Sequence, residues 1–123
     1  MRHVALPAAL ALLGLASTAY AHPKLVSASP TPNATVAKPA RVEMHFSEKL
    51  MPKFSGADLM MTGHGGASHA PMKVAAAAGV SGDGRTLVVT PKSPLGAGRY
   101  SVAWHVVSTD THRVAGNFAF AVK

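Results

Sequence analysis

The stretch Gly98 to Ser108, GRYSVAWHVVS, places Tyr100, Val102, Trp104 and Val106 at alternate positions. A two-residue apolar period is that of a strand with one buried face, because successive strand side chains point to opposite sides. The stretch therefore predicts a long strand whose outer face carries Arg99, Ser101, Ala103 and His105. Working outward, RVEMHFSE (41–48) repeats the pattern with Val42, Met44 and Phe46, and NFAFAVK (117–123) repeats it with Phe118, Phe120 and Val122. TLVVTP (86–91) and ADLMMT (57–62) are shorter strand candidates. Between them lie turn signals rich in glycine, proline and asparagine: SPTPN (29–33), GHGG (63–66), SGDGR (81–85) and SPLGAG (93–98). KVAAAAG (73–79) holds helix formers in a row, but it is short, has no cap and ends on glycine, so it is expected to be strand or irregular. Short strands at intervals of about 8–12 residues predict an all-β fold, a β-sandwich or small Greek-key barrel. A length of 123 residues predicts one domain.

The first 21 residues have another character. Arg2 and His3 give a basic start, Val4 to Ala16 is apolar apart from Pro7 and Gly14, and Ala19-Tyr20-Ala21 is a small-x-small tripeptide. That is the layout of an export signal cleaved after Ala21, and the apolar run is shorter than the roughly 20 residues a membrane-crossing helix needs. Residues 1–21 are expected to be a signal peptide and 22–123 the domain, exported and not embedded in a membrane.

The formal net charge is +7. The cations are scattered, from Lys24 to Lys123, with no basic run, and Trp104 and Tyr100 both fall on predicted core faces. Neither the spread nor the aromatics suit a nucleic-acid binder; the charge reads as solvated surface suited to acidic partners. There are no cysteines, which excludes disulfides and thiolate metal sites.

Cleavage after Ala21 would make His22 the first residue. Its α-amine and ring Nδ1 then belong to one residue and close a chelate ring on a metal without ordering any other part of the chain. Both donors must be deprotonated, and reference pKa values of about 8 and 6.5 put that within reach near neutral pH. Pro23 has no backbone N–H, so a site built on successive amide nitrogens is blocked. Nitrogen-rich sites of this kind favour Cu(II) among divalent first-row metals. Asp110 and His112, two apart in STDTHR (108–113), would share a face in an extended segment and supply an imidazole with a carboxylate that either ligates or orients. Glu48, just past the Val42–Phe46 strand, is a third candidate, as a weak ligand or as an acceptor for His22. His45, on the polar face of its strand, is expected to be solvated, and His105, which alternates away from Trp104, to be a surface or structural residue.

MMTGHGGASHAPM (60–72) gathers Met60, Met61, His64, His69 and Met72 around Gly63, Gly65 and Gly66. Thioether sulfur selects Cu(I), and the glycines would let a loop wrap an ion. Alternation allows only one of Met60 and Met61 to share a face with that loop.

Taken together, HPKLVSASP at 22–30, RVEMHFSEKL at 41–50, the FSGADLMMTG…H.PM segment and the final W..VSTDTHRVAGNFAFAVK resemble the CopC family of periplasmic copper-binding proteins, over nearly the whole of 22–123. The resemblance implies a cupredoxin-like or immunoglobulin-like Greek-key barrel. It implies a Cu(II) site from His22 with its amine, Asp110, His112 and Glu48. It also implies, for some members, a Cu(I) site in a methionine-rich loop. Here Met61, His69 and Met72 stand where ligands are expected, while His64 and Ala67 replace methionines; Met61, His64, His69 and Met72 remain as a mixed candidate set.

The function expected from all this is a non-enzymatic copper carrier or buffer for resistance, homeostasis or uptake. It would exchange the ion with an inner-membrane copper transporter or another periplasmic copper protein. The rival readings are an oxidative copper enzyme built on an N-terminal histidine chelate and a structural immunoglobulin-like module.

Overall fold

The computed structural model describes residues 22–123; the predicted export signal, 1–21, lies outside the described residues. Among the described residues nine strands form: β1 (Leu25–Ser29), β2 (Thr35–Val36), β3 (Val42–Phe46), β4 (Gly56–His64), β5 (Ala67–Lys73), β6 (Ala76–Val80), β7 (Thr86–Pro91), β8 (Gly98–Val107) and β9 (Arg113–Val122), with a 3-10 turn at Pro52–Phe54. One sheet has the order β1-β3-β7-β6 and the other β2-β9-β8-β4-β5. The chain passes repeatedly from one sheet to the other, as in Greek-key sandwiches, so the all-β expectation holds.

The core lies between the sheets and is built from the residues that alternation selects. Val42, Met44 and Phe46 of β3, Tyr100, Val102, Trp104 and Val106 of β8, and Phe118, Phe120 and Val122 of β9 are all buried. β8 and β9 pair over their full length, which sets Tyr100 opposite Phe120 and Trp104 opposite Gly116. Tyr100 and Phe120 stack with centroids 5.5 Å apart, and Trp104 meets Phe46 edge-on at 5.1 Å. Gly116 is required by that packing: a Cβ there would lie 2.4 Å from Cζ2 of Trp104.

Two segments differ from a pure propensity reading. The alanine-rich KVAAAAG ends in β6, because Ala76 to Val80 pair residue by residue with β7 and the ladder outweighs helix propensity. The Met/His stretch is not a loop but a hairpin. Gly65 and Gly66, with φ of 58° and 80°, make the two-residue turn that such glycines favour. β5 is an exposed edge strand carrying Pro71, Lys73 and a bulge, features that discourage edge-to-edge pairing.

The expectation of a solvated His45 is corrected. It does lie on the outer face of β3, but its cross-strand neighbour is Thr86. The ring is half-buried, and its Nδ1 lies 2.9 Å from the Thr86 hydroxyl, which in turn donates to Asp83 at 2.7 Å. His105 is exposed and stacks over Gly56.

Candidate metal centre

Strand direction sorts the sandwich into two poles. β8 ends and β9 begins at one of them, joined by the tight loop Thr109–Thr111. Ser108 closes this loop: its N–H donates to the His112 carbonyl at 2.9 Å, and its carbonyl accepts the Thr111 N–H at 2.8 Å. Thr111 takes φ of 72°, the left-handed residue that three-residue hairpin loops use. Thr109 and Met51 bond back to Lys49 and Val107, so the segment after β3 is strapped alongside the loop.

The N-terminal segment reaches the same pole. Lys24 N–H donates to the Ser47 hydroxyl and Ser47 N–H to the Lys24 carbonyl, both at 2.9 Å. Pro23 is fully buried beneath them. Residue 22 is thereby held over the β8–β9 loop, and the His22 and His112 rings meet edge-on with centroids 4.7 Å apart and planes at 73°.

His112 is gripped from its other nitrogen. Its Nδ1–H donates to Asp110 Oδ2 at 3.0 Å, while the other carboxylate oxygen, Oδ1, accepts the hydroxyl of Ser108. Ser108 is buried, at 2% exposure. The Ser108 hydroxyl first, and the His112 ring next, hold the Asp110 carboxyl below the usual carboxylate range. An ionised carboxylate can only accept, so the ring nitrogen it meets is the one suited to carry the proton.

Glu48 lies half-buried between Ser47, tied to Lys24, and Lys49, tied to Thr109, so its backbone sits between the N-terminal segment and the loop. Among the described residues no three His, Asp or Glu side chains converge as a ready-made cage. What converges is a pair of imidazoles. Sequence reasoning named His22, Asp110, His112 and Glu48 and passed over Ser47 and Ser108; their signal was only a serine at each strand end, which is also what an ordinary turn offers.

The second candidate set lies toward the other pole. Met61 and Met72 are directly opposite in the β4–β5 hairpin. Met61 packs against the core and Met72 is 61% exposed. His64 pairs with Ala67 beside the turn. His69 sits in the bulge that separates the Gly63–Ser68 pair from the Met61–Met72 pair, its Nδ1–H donating to the Ala70 carbonyl at 2.8 Å. The hairpin sets the two methionines opposite each other, Met61 turned toward the core and Met72 exposed, but does not gather all four residues. An open depression of about 440 Å³ between Gly63–Gly66 and Gly98–Arg99 lies at this pole too. Glycine, alanine and valine make up most of its wall, with His64 and Arg99 as its polar side chains, so it is not taken for the functional site.

Fold and site define a small two-sheet β-sandwich that carries two neighbouring histidines at one end, one of them held by a carboxylate. A family model described as the CopC domain matches residues 25–123, and the chain belongs to the CopC family. It is 50% identical over 123 residues to copper resistance protein C of Xanthomonas campestris pv. juglandis, covering 99% of this chain and 97% of the relative. It is 47% identical over 113 residues to the Escherichia coli protein of that description, covering 91% and 90%. The crystal structure of PcoC, a methionine-rich copper resistance protein from Escherichia coli, superposes with a TM-score of 0.78 at 47% identity, over 84% of this chain and all of that one. CopC from Methylosinus trichosporium OB3b superposes at 0.72 with 29% identity, over 83% and 94%.

Proposed function

We propose that the protein is an exported copper-binding protein that takes up Cu(II) at the His22/His112 pole and carries or buffers it for copper resistance or homeostasis. The observation that carries this reading is the contact of the two imidazoles at 4.7 Å, one from each end of the described chain. Processing after Ala21 adds the α-amine of His22 beside them. An amine and two imidazoles make a nitrogen set that suits Cu(II), with Asp110 and Glu48 as the carboxylates of the site. The site is at the surface, where an ion can pass to a second protein, such as an inner-membrane transporter or another periplasmic copper protein. The pole carries no aromatic platform for a polysaccharide from Trp104 or Tyr100, both of which are in the core; this favours carriage over oxidative catalysis.

The Met61–Met72 pair favours a second, softer site: Cu(I) held by two thioethers, with His64 and His69 as the nearby imidazoles. Two sulfurs are fewer than a soft ion prefers, so this site is the weaker of the two.

Electron paramagnetic resonance of the Cu(II)-loaded protein starting at His22 tests the first site. His112→Ala removes one nitrogen coupling and weakens binding, whereas His45→Ala and His105→Ala leave the spectrum as it is. Equal spectra in all three variants would place the ion elsewhere.

A further inference from the structure

The D-x-H pair does not stand alone, and the residue behind it is neither charged nor exposed. Ser108 is the last residue before the loop, 2% exposed, and its hydroxyl donates to Asp110 Oδ1. Its other near neighbour is the His112 carbonyl, 3.4 Å away. The backbone groups of Ser108 are already committed to His112 and Thr111. The side chain is therefore not needed to close the hairpin, and what it does is fix the rotation of the Asp110 carboxylate. With Oδ1 held by Ser108, Oδ2 faces the ring and accepts from Nδ1 of His112 at 3.0 Å.

We propose that Ser108 is a positioning residue for the metal centre: through Asp110 it holds His112 as the Nδ1–H tautomer, so that Nε2 is the nitrogen that donates to the metal. The inference rests on the copper reading above for the identity of the ion, but the tautomer itself is a property of the metal-free protein. A neutral imidazole donates a lone pair only from the nitrogen without a proton, and the hydrogen bond at the other nitrogen decides which that is. An exposed carboxylate with free rotation would select the tautomer only part of the time. The buried hydroxyl makes the selection permanent and leaves Asp110 as an orienting group with one oxygen on serine and the other on the ring.

The test has two arms. The first is 15N NMR of the ring nitrogens of His112 in metal-free protein at about pH 8, where an ordinary imidazole is neutral. The parent shows a protonated Nδ1 and an unprotonated Nε2. Ser108→Ala shifts the signals toward the Nε2–H form, and Ser108→Thr, which keeps the hydroxyl, retains the parent pattern. The second arm is Cu(II) competition titration, in which Ser108→Ala loses about 10-fold or more in affinity, the cost typical of removing a group that orients a metal ligand. A parent-like tautomer in Ser108→Ala overturns the proposal, as does a shifted tautomer with unchanged Cu(II) affinity. If Ser108→Ala does not fold, Asp110→Ala, at an exposed position, carries the comparison with Ser108→Thr: a Nδ1–H tautomer that survives loss of the carboxylate overturns the proposal too. A parent that shows the tautomer but binds no Cu(II) would instead remove the copper reading while leaving the positioning of His112 in place.

Discussion

Thr111 shows how a single residue is strained to place the site. It is β-branched and takes φ of 72°, a region such side chains rarely adopt, and its hydroxyl donates to the neighbouring Asp110 carbonyl at 2.6 Å. The conformation is forced because the three-residue loop must turn between Ser108 and His112. Glycine would take it without strain, less the entropy it gains in the unfolded chain. Thr111→Gly should therefore raise stability by about 0.5–1 kcal/mol, measured by urea unfolding, while Thr111→Ala should give no gain; equal effects of the two would show that the left-handed backbone is not costly. At this scale the sequence was legible where chemistry is unusual. A histidine after a cleavage-type tripeptide and before proline, and a histidine two places after an aspartate, announce themselves. Ser108 and the His45–Thr86 bond do not. Their roles come from burial and from a cross-strand partner 41 positions away, and neither is written in local spacing.

Elements carry two further tests. In the turn before β7, Asp83 accepts from the Arg85 and Thr86 N–H groups and from the Ser81 and Thr86 hydroxyls. The Arg85 N–H first, then the hydroxyls of Thr86 and Ser81, hold its carboxyl far below the usual range. A folded pKa below the unfolded value of about 3.9 contributes stability that is complete above that pH and is lost as pH falls toward the folded value. Asp83→Asn should lower the urea midpoint at about pH 7, and the gap from the parent should narrow steadily below about pH 4. A gap that does not depend on pH would mean that charge is not what the turn uses. Between β8 and β9, Gly116→Ala drives a methyl into the Trp104 ring, which is wedged against Phe46. We expect a loss of about 1–3 kcal/mol, read as a lower denaturation midpoint; parent-like stability would show that the indole can move aside. The strands themselves were legible from alternation because β3, β8 and β9 each bury one face. The hairpin at 56–73 was legible only in its first half, where ADLMMT marks β4 and the glycine pair the turn; β5 is exposed along its whole length and has no apolar period to read.

On the scale of the whole molecule, the two sheets carry β8 and β9 from one pole to the other and so separate the two candidate sites. The histidine pair sits where β8 ends, and the methionine pair lies toward the pole where β8 begins. Copper of one oxidation state at one pole should thus leave the other site open. Met61→Leu/Met72→Leu should weaken Cu(I) retention against a chelator without altering Cu(II) binding; loss of both would contradict two independent sites. The central claim is that the amine of a processed His22 completes the Cu(II) site, and one measurement meets it directly. Cu(II) is titrated in competition with a chelator into protein beginning at His22 and into the same protein with a single alanine added before it. The α-amine chelate is present only in the first. The account predicts a large loss of Cu(II) affinity, and loss of the amine nitrogen coupling, on adding that one residue; equal affinity in the two proteins would contradict it.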